Sequence, residues 1–154
     1  MIPVKRLNHA VRHVRDVERA VEFYRAAFGF EIVDQIPGRA AFLRAAGTDN
    51  HHDLGLFGVG AGAPGPEPGR VGLYHLAWEV GSIHDLVDAR RTLVELGALR
   101  GESDHGASKS LYGADPDGNE FEVMWAVPRA SWGEYEGQAV VAPLDLATEV
   151  ARHG

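Results

Sequence analysis

Leu111-Tyr-Gly-Ala-Asp-Pro-Asp-Gly-Asn-Glu-Phe-Glu-Val-Met-Trp125 is the stretch around which the rest of the sequence falls into place. Its centre, Asp115-Pro-Asp-Gly118, reads as a turn. Pro116 presets one φ angle, Gly118 accepts a positive one, and the Asp side chains bond their own backbone. A strand over Glu120–Trp125 follows, with Phe121, Val123 and Trp125 on one face and Glu120, Glu122 and Met124 on the other. A carboxylate in mid-strand, as Glu122 is, costs free energy to bury unless it is paired or holds a metal. Glu122 therefore needs partners elsewhere in the chain.

Composition limits what those partners are. The 154 residues suffice for one domain with a real core, and 45% hydrophobic with 24% charged residues is ordinary for a globular protein. There is no cysteine, so disulfides and thiolate metal sites are excluded and any metal must be held by His, Asp or Glu. The net charge of -7 comes without a basic cluster, which argues against nucleic acid. The longest uncharged run, Gly55 to Pro66, is glycine-rich and too polar for a bilayer, so no membrane span is expected. Met1-Ile-Pro-Val-Lys-Arg lacks the apolar region of a signal peptide, and the expected location is the cytoplasm.

Taken in order, Lys5–Val14 reads as a strand, with Leu7, His9, Val11 and His13 on one side. Asp16 caps a helix over about Val17–Ala27, which Gly29 stops. Strands are expected over Phe30–Ile36, Arg39–Ala45 and His51–Val59. By strand alternation His51 then points away from His52. A glycine- and proline-rich linker covers about 60–70. The pattern then starts again: a strand over Gly72–Val80, a helix capped by Ser82 and closed at Gly97, a short strand over Ala98–Gly101, a loop over Ser103–Gly106, and strands over Ser108–Ala114 and Glu120–Trp125. Leu7-Asn-His9 and Leu73-Tyr-His75 are 66 residues apart, and the helix-ending Gly29 and Gly97 are 68 apart. The fold class is α+β: two tandem βαβββ modules, about 5–60 and 71–127, whose sheets share one core. The tail, 128–154, adds Trp132, Tyr135 and a short helix candidate over Leu144–Arg152.

His9 and His75 occupy equivalent places in the two modules, and Glu122 lies in the last strand of the second. Two imidazoles and one carboxylate with coordination positions left open make the facial triad of non-haem Fe(II) oxygenases. Mn(II) suits the same mixed nitrogen and oxygen donors. His13 is expected at the rim of such a pocket.

Several pieces of the chain carry a resemblance: Leu7-Asn-His9, Arg15-Asp16-Val17, Glu22-Phe-Tyr-Arg25, Phe28-Gly-Phe30, His51-His-Asp-Leu-Gly-Leu-Phe57, Leu73-Tyr-His-Leu-Ala-Trp-Glu-Val80, Ser103-Asp-His105 and Tyr112-Gly-Ala-Asp-Pro-Asp-Gly-Asn-Glu-Phe-Glu122. In this order and spacing they resemble the vicinal oxygen chelate superfamily, and within it the type I extradiol, catechol 2,3-dioxygenase-like branch. The resemblance implies one domain over residues 1–154, with a curved mixed sheet around a metal site. It implies Fe(II) held by His9, His75 and Glu122, and an aromatic diol and O2 as small-molecule partners. His52 matches the acid/base histidine near bound dioxygen, Tyr112 the tyrosine on the substrate oxygens, and His105 a further pocket histidine. A homo-oligomer, dimer or larger, is also implied. Two rivals share the fold. A glyoxalase I-type isomerase or lyase places a fourth carboxylate ligand late in the first module, where Asp53 stands. A drug-sequestering resistance protein lacks the triad.

Overall fold

The structure, a computed structural model, describes residues 1–154. It forms two compact units, Met1–Pro66 and Glu67–Gly154. The division falls inside the glycine- and proline-rich linker expected from the sequence.

In the first unit the local signals act as their chemistry predicts. The Asp16 side chain accepts from the Arg19 amide at 2.9 Å and opens helix α1 (Val17–Phe28), and Gly29 ends it at φ 65°. Strands β1 (Ala10–Val14), β2 (Glu31–Ile36), β3 (Ala40–Arg44) and β4 (Leu54–Gly58) form one sheet in the order β1-β4-β3-β2. β1 runs parallel to β4 and the other pairs are antiparallel. Val17, Ala20, Val21 and Tyr24 on one stripe of α1 are buried, as are Leu43, Leu54 and Leu56 of the sheet.

The second unit repeats this order. β5 (Leu76–Glu79), α2 (Ile83–Glu95), β6 (Leu99–Asp104), β7 (Ser108–Ala114) and β8 (Glu120–Ala126) form a sheet ordered β5-β8-β7-β6, again with the first strand parallel to the last. Ser82 caps α2 through the Asp85 amide. The turn between β7 and β8 closes as its sequence requires: Asp115 Oδ1 accepts from the amides of Asp117 and Asn119, both at 2.9 Å, and Gly118 takes φ 87°. Phe121, Val123 and Trp125 are buried, and α2 packs on this side of the sheet. Glu120, Glu122 and Met124 occupy the opposite face and are half-buried.

The tail closes over the helix side of the second unit. Helix α3 (Leu146–His153), capped by Asp145, packs against α2. It seats Glu149 3.3 Å from Lys109 Nζ, which also meets Asp104 at 2.5 Å. Lys109 lies opposite Trp125 in the ladder, on the apolar face, so the ion pair sits within the core.

Several expected boundaries move. β1 starts at Ala10 and β5 at Leu76, so His9 and His75 stand just before their strands. β4 starts at Leu54, which leaves His51 and His52 in the preceding loop, where strand alternation does not apply. β6 runs on through Asp104, so Ser103 and Asp104 are strand and the loop shrinks to His105–Ala107. No helix is long and apolar enough to cross a membrane.

Candidate metal centre

In the second unit, strand register does the assembling. The β7–β8 ladder sets Tyr112 directly opposite Glu122, and the β5–β8 ladder sets Ala77 opposite Glu122, which brings His75 to the same face. His75 Nε2 lies 3.1 Å from Glu122 Oε2, and its Nδ1 lies 3.5 Å from Glu120 Oε1. That Nδ1 is buried without a hydrogen-bond partner. The Tyr112 ring centroid is 5.7 Å from that of His75.

Tyr112 is tied in turn to the tail. Its hydroxyl meets His105 Nε2 at 2.8 Å, and His105 Nδ1 meets the Val140 carbonyl at 2.6 Å. A carbonyl only accepts, so Nδ1 carries the proton, and Nε2 of the neutral ring accepts from the Tyr112 hydroxyl. Burial, and then the Glu122 charge, raise the Tyr112 pKa above its ordinary value and keep the phenol protonated.

In the first unit, His9 and His52 stand with ring centroids 4.5 Å apart. His52 also rests edge-on against Phe42 at 5.1 Å, and its Nδ1 is 3.1 Å from that of His51. The expected divergence of His51 and His52 is therefore corrected: the loop lets the two rings meet. Burial first, then the neighbouring His9 and His51, lower the His52 pKa, with Asp53 opposing. His52 is thus held neutral, the form that accepts a proton.

Asp53 is occupied elsewhere. Its Oδ2 accepts from the Ala45 amide at 2.8 Å and its Oδ1 from Asn50 Nδ2 at 2.7 Å, in a buried position. Both oxygens hold the loop that carries His51 and His52.

The donor chemistry fits a divalent metal in part. Two donors at right angles on a metal with bonds of about 2.1 Å stand about 3 Å apart, and His75 Nε2 and Glu122 Oε2 have that separation. No group of three or more His, Asp or Glu side chains forms a ready-made cage. What the second unit supplies is a pair of donors, His75 and Glu122.

A sequence profile described as the Glyoxalase/Bleomycin resistance protein/Dioxygenase superfamily matches residues 6–123. The chain belongs to this superfamily. It is 33% identical over 145 residues to a catechol-2,3-dioxygenase of Bacillus subtilis (strain 168), covering 93% of this chain and 50% of that protein. It is 32% identical over 143 residues to biphenyl-2,3-diol 1,2-dioxygenase 3 of Rhodococcus globerulus, covering 90% of this chain and 74% of that one. The chain thus spans only half the length of the Bacillus relative. Among solved structures, a lactoylglutathione lyase from Agrobacterium tumefaciens superposes with a TM-score of 0.61 at 25% identity, over 80% of this chain and 96% of that one.

Against this superfamily membership, the paired modules and their α+β fold are as expected. Sequence reasoning missed Glu120, which backs His75, and the amides of Asn8 and Asn50 behind His9. Glu120 carried a readable signal, because it shares its strand face with Glu122 at a spacing of two. Asn50 carried none beyond its place in a turn.

Proposed function

We propose that the chain is a metal-dependent extradiol dioxygenase, opening a catechol-type aromatic ring beside its two hydroxyls with O2. The observation that carries this reading is the arrangement on one face of the second sheet, where the His75–Glu122 pair stands beside Tyr112 and Tyr112 is hydrogen-bonded to His105. The similarity to proteins named catechol and biphenyl-diol dioxygenases supports it. His75 and Glu122, with His9 as third ligand, would hold Fe(II), or Mn(II) with its similar donor preference. Such a metal, when bound, would lower the pKa of a diol hydroxyl.

The protein's own groups have separate tasks. Tyr112, kept protonated, orients a substrate oxygen by hydrogen bonding, and His105 fixes the direction of that hydroxyl. His52, held neutral, takes up the proton the diol loses and returns it to an oxygen of the product. The partners in this reading are an aromatic diol and O2.

A lactoylglutathione lyase-like reading finds support in the structural similarity. It is disfavoured by Asp53, whose two oxygens are both engaged by the loop. Anaerobic reconstitution with Fe(II), followed by oxygen uptake and visible absorbance with a panel of catechols, decides between them. Uptake with a coloured product, lost in His9→Ala and Glu122→Ala, is the expected result. Tight metal binding with no uptake on any catechol would favour the lyase-like reading.

A further inference from the structure

His9 differs from His52, His75 and His105 in being exposed, yet the tautomer of its ring is not left free. Behind it is Asn50, a buried amide with four hydrogen bonds. Its Nδ2 donates to the Asn8 carbonyl at 2.8 Å and to Asp53 Oδ1 at 2.7 Å. Its Oδ1 accepts from Arg6 Nη2 and, at 3.1 Å, from Asn8 Nδ2. Asn8 Oδ1 then faces His9 Nδ1 at 2.8 Å.

The direction of every bond in this chain is forced. The Asp53 carboxylate and the Asn8 carbonyl only accept, so the Asn50 amide nitrogen must face them. Its oxygen must therefore face the other way, where the Arg6 guanidinium can only donate. That oxygen takes a hydrogen from Asn8 Nδ2, which leaves the Asn8 oxygen towards the imidazole. A flip of either amide would set two donors or two acceptors face to face. In the neutral ring the proton then sits on His9 Nδ1 and the lone pair on Nε2.

We infer that Asn8, oriented by Asn50, is a positioning residue that locks His9 in the Nδ1–H tautomer and presents Nε2 as a ready metal donor. This rests on the proposed role of His9 as a ligand. The same network ties Asn8 to the loop that carries His52, through Asn50, Asp53 and the Ala45 amide, so it also sets the spacing between His9 and His52. The Nδ1 acceptor behind a ligating imidazole is elsewhere often a carboxylate or a backbone carbonyl. Here it is a neutral side-chain amide whose direction is fixed three bonds away by an acid and a guanidinium.

The test uses metal-free protein with 15N-labelled histidine and long-range proton–nitrogen NMR, the His9 signals being assigned through His9→Ala. Wild type is expected to show Nδ1–H at His9. Asn8 is exposed, so Asn8→Ala should fold normally by far-UV circular dichroism, yet shift His9 towards Nε2–H. Asn8→Asp loses the hydrogen donated to Asn50 Oδ1 but keeps an acceptor at Nδ1, and should hold the Nδ1–H tautomer. Titration with Mn(II) alone should show Asn8→Ala binding about 10–100-fold more weakly than wild type, the usual cost of losing such a support. An Nε2–H wild type, or a tautomer and Mn(II) affinity both unmoved in Asn8→Ala, would overturn the inference while leaving the ligand reading intact. Mn(II) affinity unmoved in His9→Ala would overturn the ligand reading beneath it, and the inference with it.

Discussion

The two units repeat one βαβββ order, but they hold their candidate ligands by opposite means. In the first, His9 lies exposed before β1 and is steered through neutral amides whose charges, Arg6 and Asp53, are kept at the far end. In the second, His75 is partly buried between two carboxylates, Glu120 and Glu122, at 3.5 and 3.1 Å. Two carboxylates converging on one imidazole concentrate negative charge, and that site gains most from a cation. The first unit instead builds a rigid frame in which His9 and a neutral His52 stand together. On the proposed reading the difference would be a division of labour, with the second unit supplying most of the metal affinity and the substrate contacts and the first supplying the proton chemistry.

The largest expected effects test that division. Glu122→Gln removes the anionic donor, and its loss of Mn(II) affinity should exceed the roughly 10–100-fold expected for supporting groups. Calorimetric titration of the two variants Glu122→Gln and His9→Ala checks the asymmetry; equal losses would break the comparison. His52→Ala should leave Mn(II) affinity near wild type while lowering kcat on a catechol by about 10²–10⁴, the usual contribution of a positioned acid/base. A drop in affinity as large as that in kcat would place His52 among the ligands instead.

How much of this was legible in the sequence depends on whether the signal is local. The Asp115–Gly118 turn, the caps at Asp16 and Ser82 and the alternation of Glu120–Trp125 were all readable, because each is decided by atoms a few residues apart. Strand starts were not. His9 and His75 read as strand residues because alternation cannot show where the partner strand runs out. β1 pairs only from Ala10, opposite Leu54, and β5 only from Leu76, opposite Phe121. The same limit placed His51 and His52 in a strand. Long-range polar contacts were also invisible. Lys109 on an otherwise apolar face could have been flagged from the register of Leu111 and Gly113, but its partner Glu149 is in the tail, 40 residues on.

Buried polar groups occur in both units, with Asn50, Asp53 and the Arg12–Tyr24 bond, at 3.3 Å, in the first. Lys109→Met should destabilise the protein by about 3–5 kcal/mol, because Asp104 and the buried Glu149 lose the buried ammonium between them. Urea unfolding followed by circular dichroism measures this; a loss below about 1 kcal/mol would mean the Arg152 and His153 contacts to Glu149 suffice. The pair also sets an acid dependence. Burial pushes the Asp104 carboxyl up, but Lys109 and the Gly106 amide more than offset it, and its pKa ends below the ordinary 3.8. A carboxylate depressed in the folded state contributes stability that is complete above its unfolded pKa and is lost as pH falls through the folded one. The gap in Tm between wild type and Lys109→Met should therefore narrow between about pH 5 and pH 2.

The smallest effect concerns the strap that the tail lays along β6. Asp104 and Ala142 exchange backbone hydrogen bonds at 2.8 and 2.9 Å, and Val140 holds His105. Gly106, between them, sits at φ 72° with the Tyr135 ring packed against its Cα, where a Cβ would collide with the ring carbons. Gly106→Ala therefore carries both a left-handed backbone cost of about 1 kcal/mol and displacement of Tyr135. If the strap matters to the site only through His105, this variant should lower Tm by a few degrees. It should leave Mn(II) affinity unchanged and raise KM for the diol more than it lowers kcat, because Tyr112 loses its fixed direction. A change in metal affinity would mean instead that the tail supports the His75–Glu122 pair itself, and that the second unit's ligands are less independent of their surroundings than the ladder geometry implies.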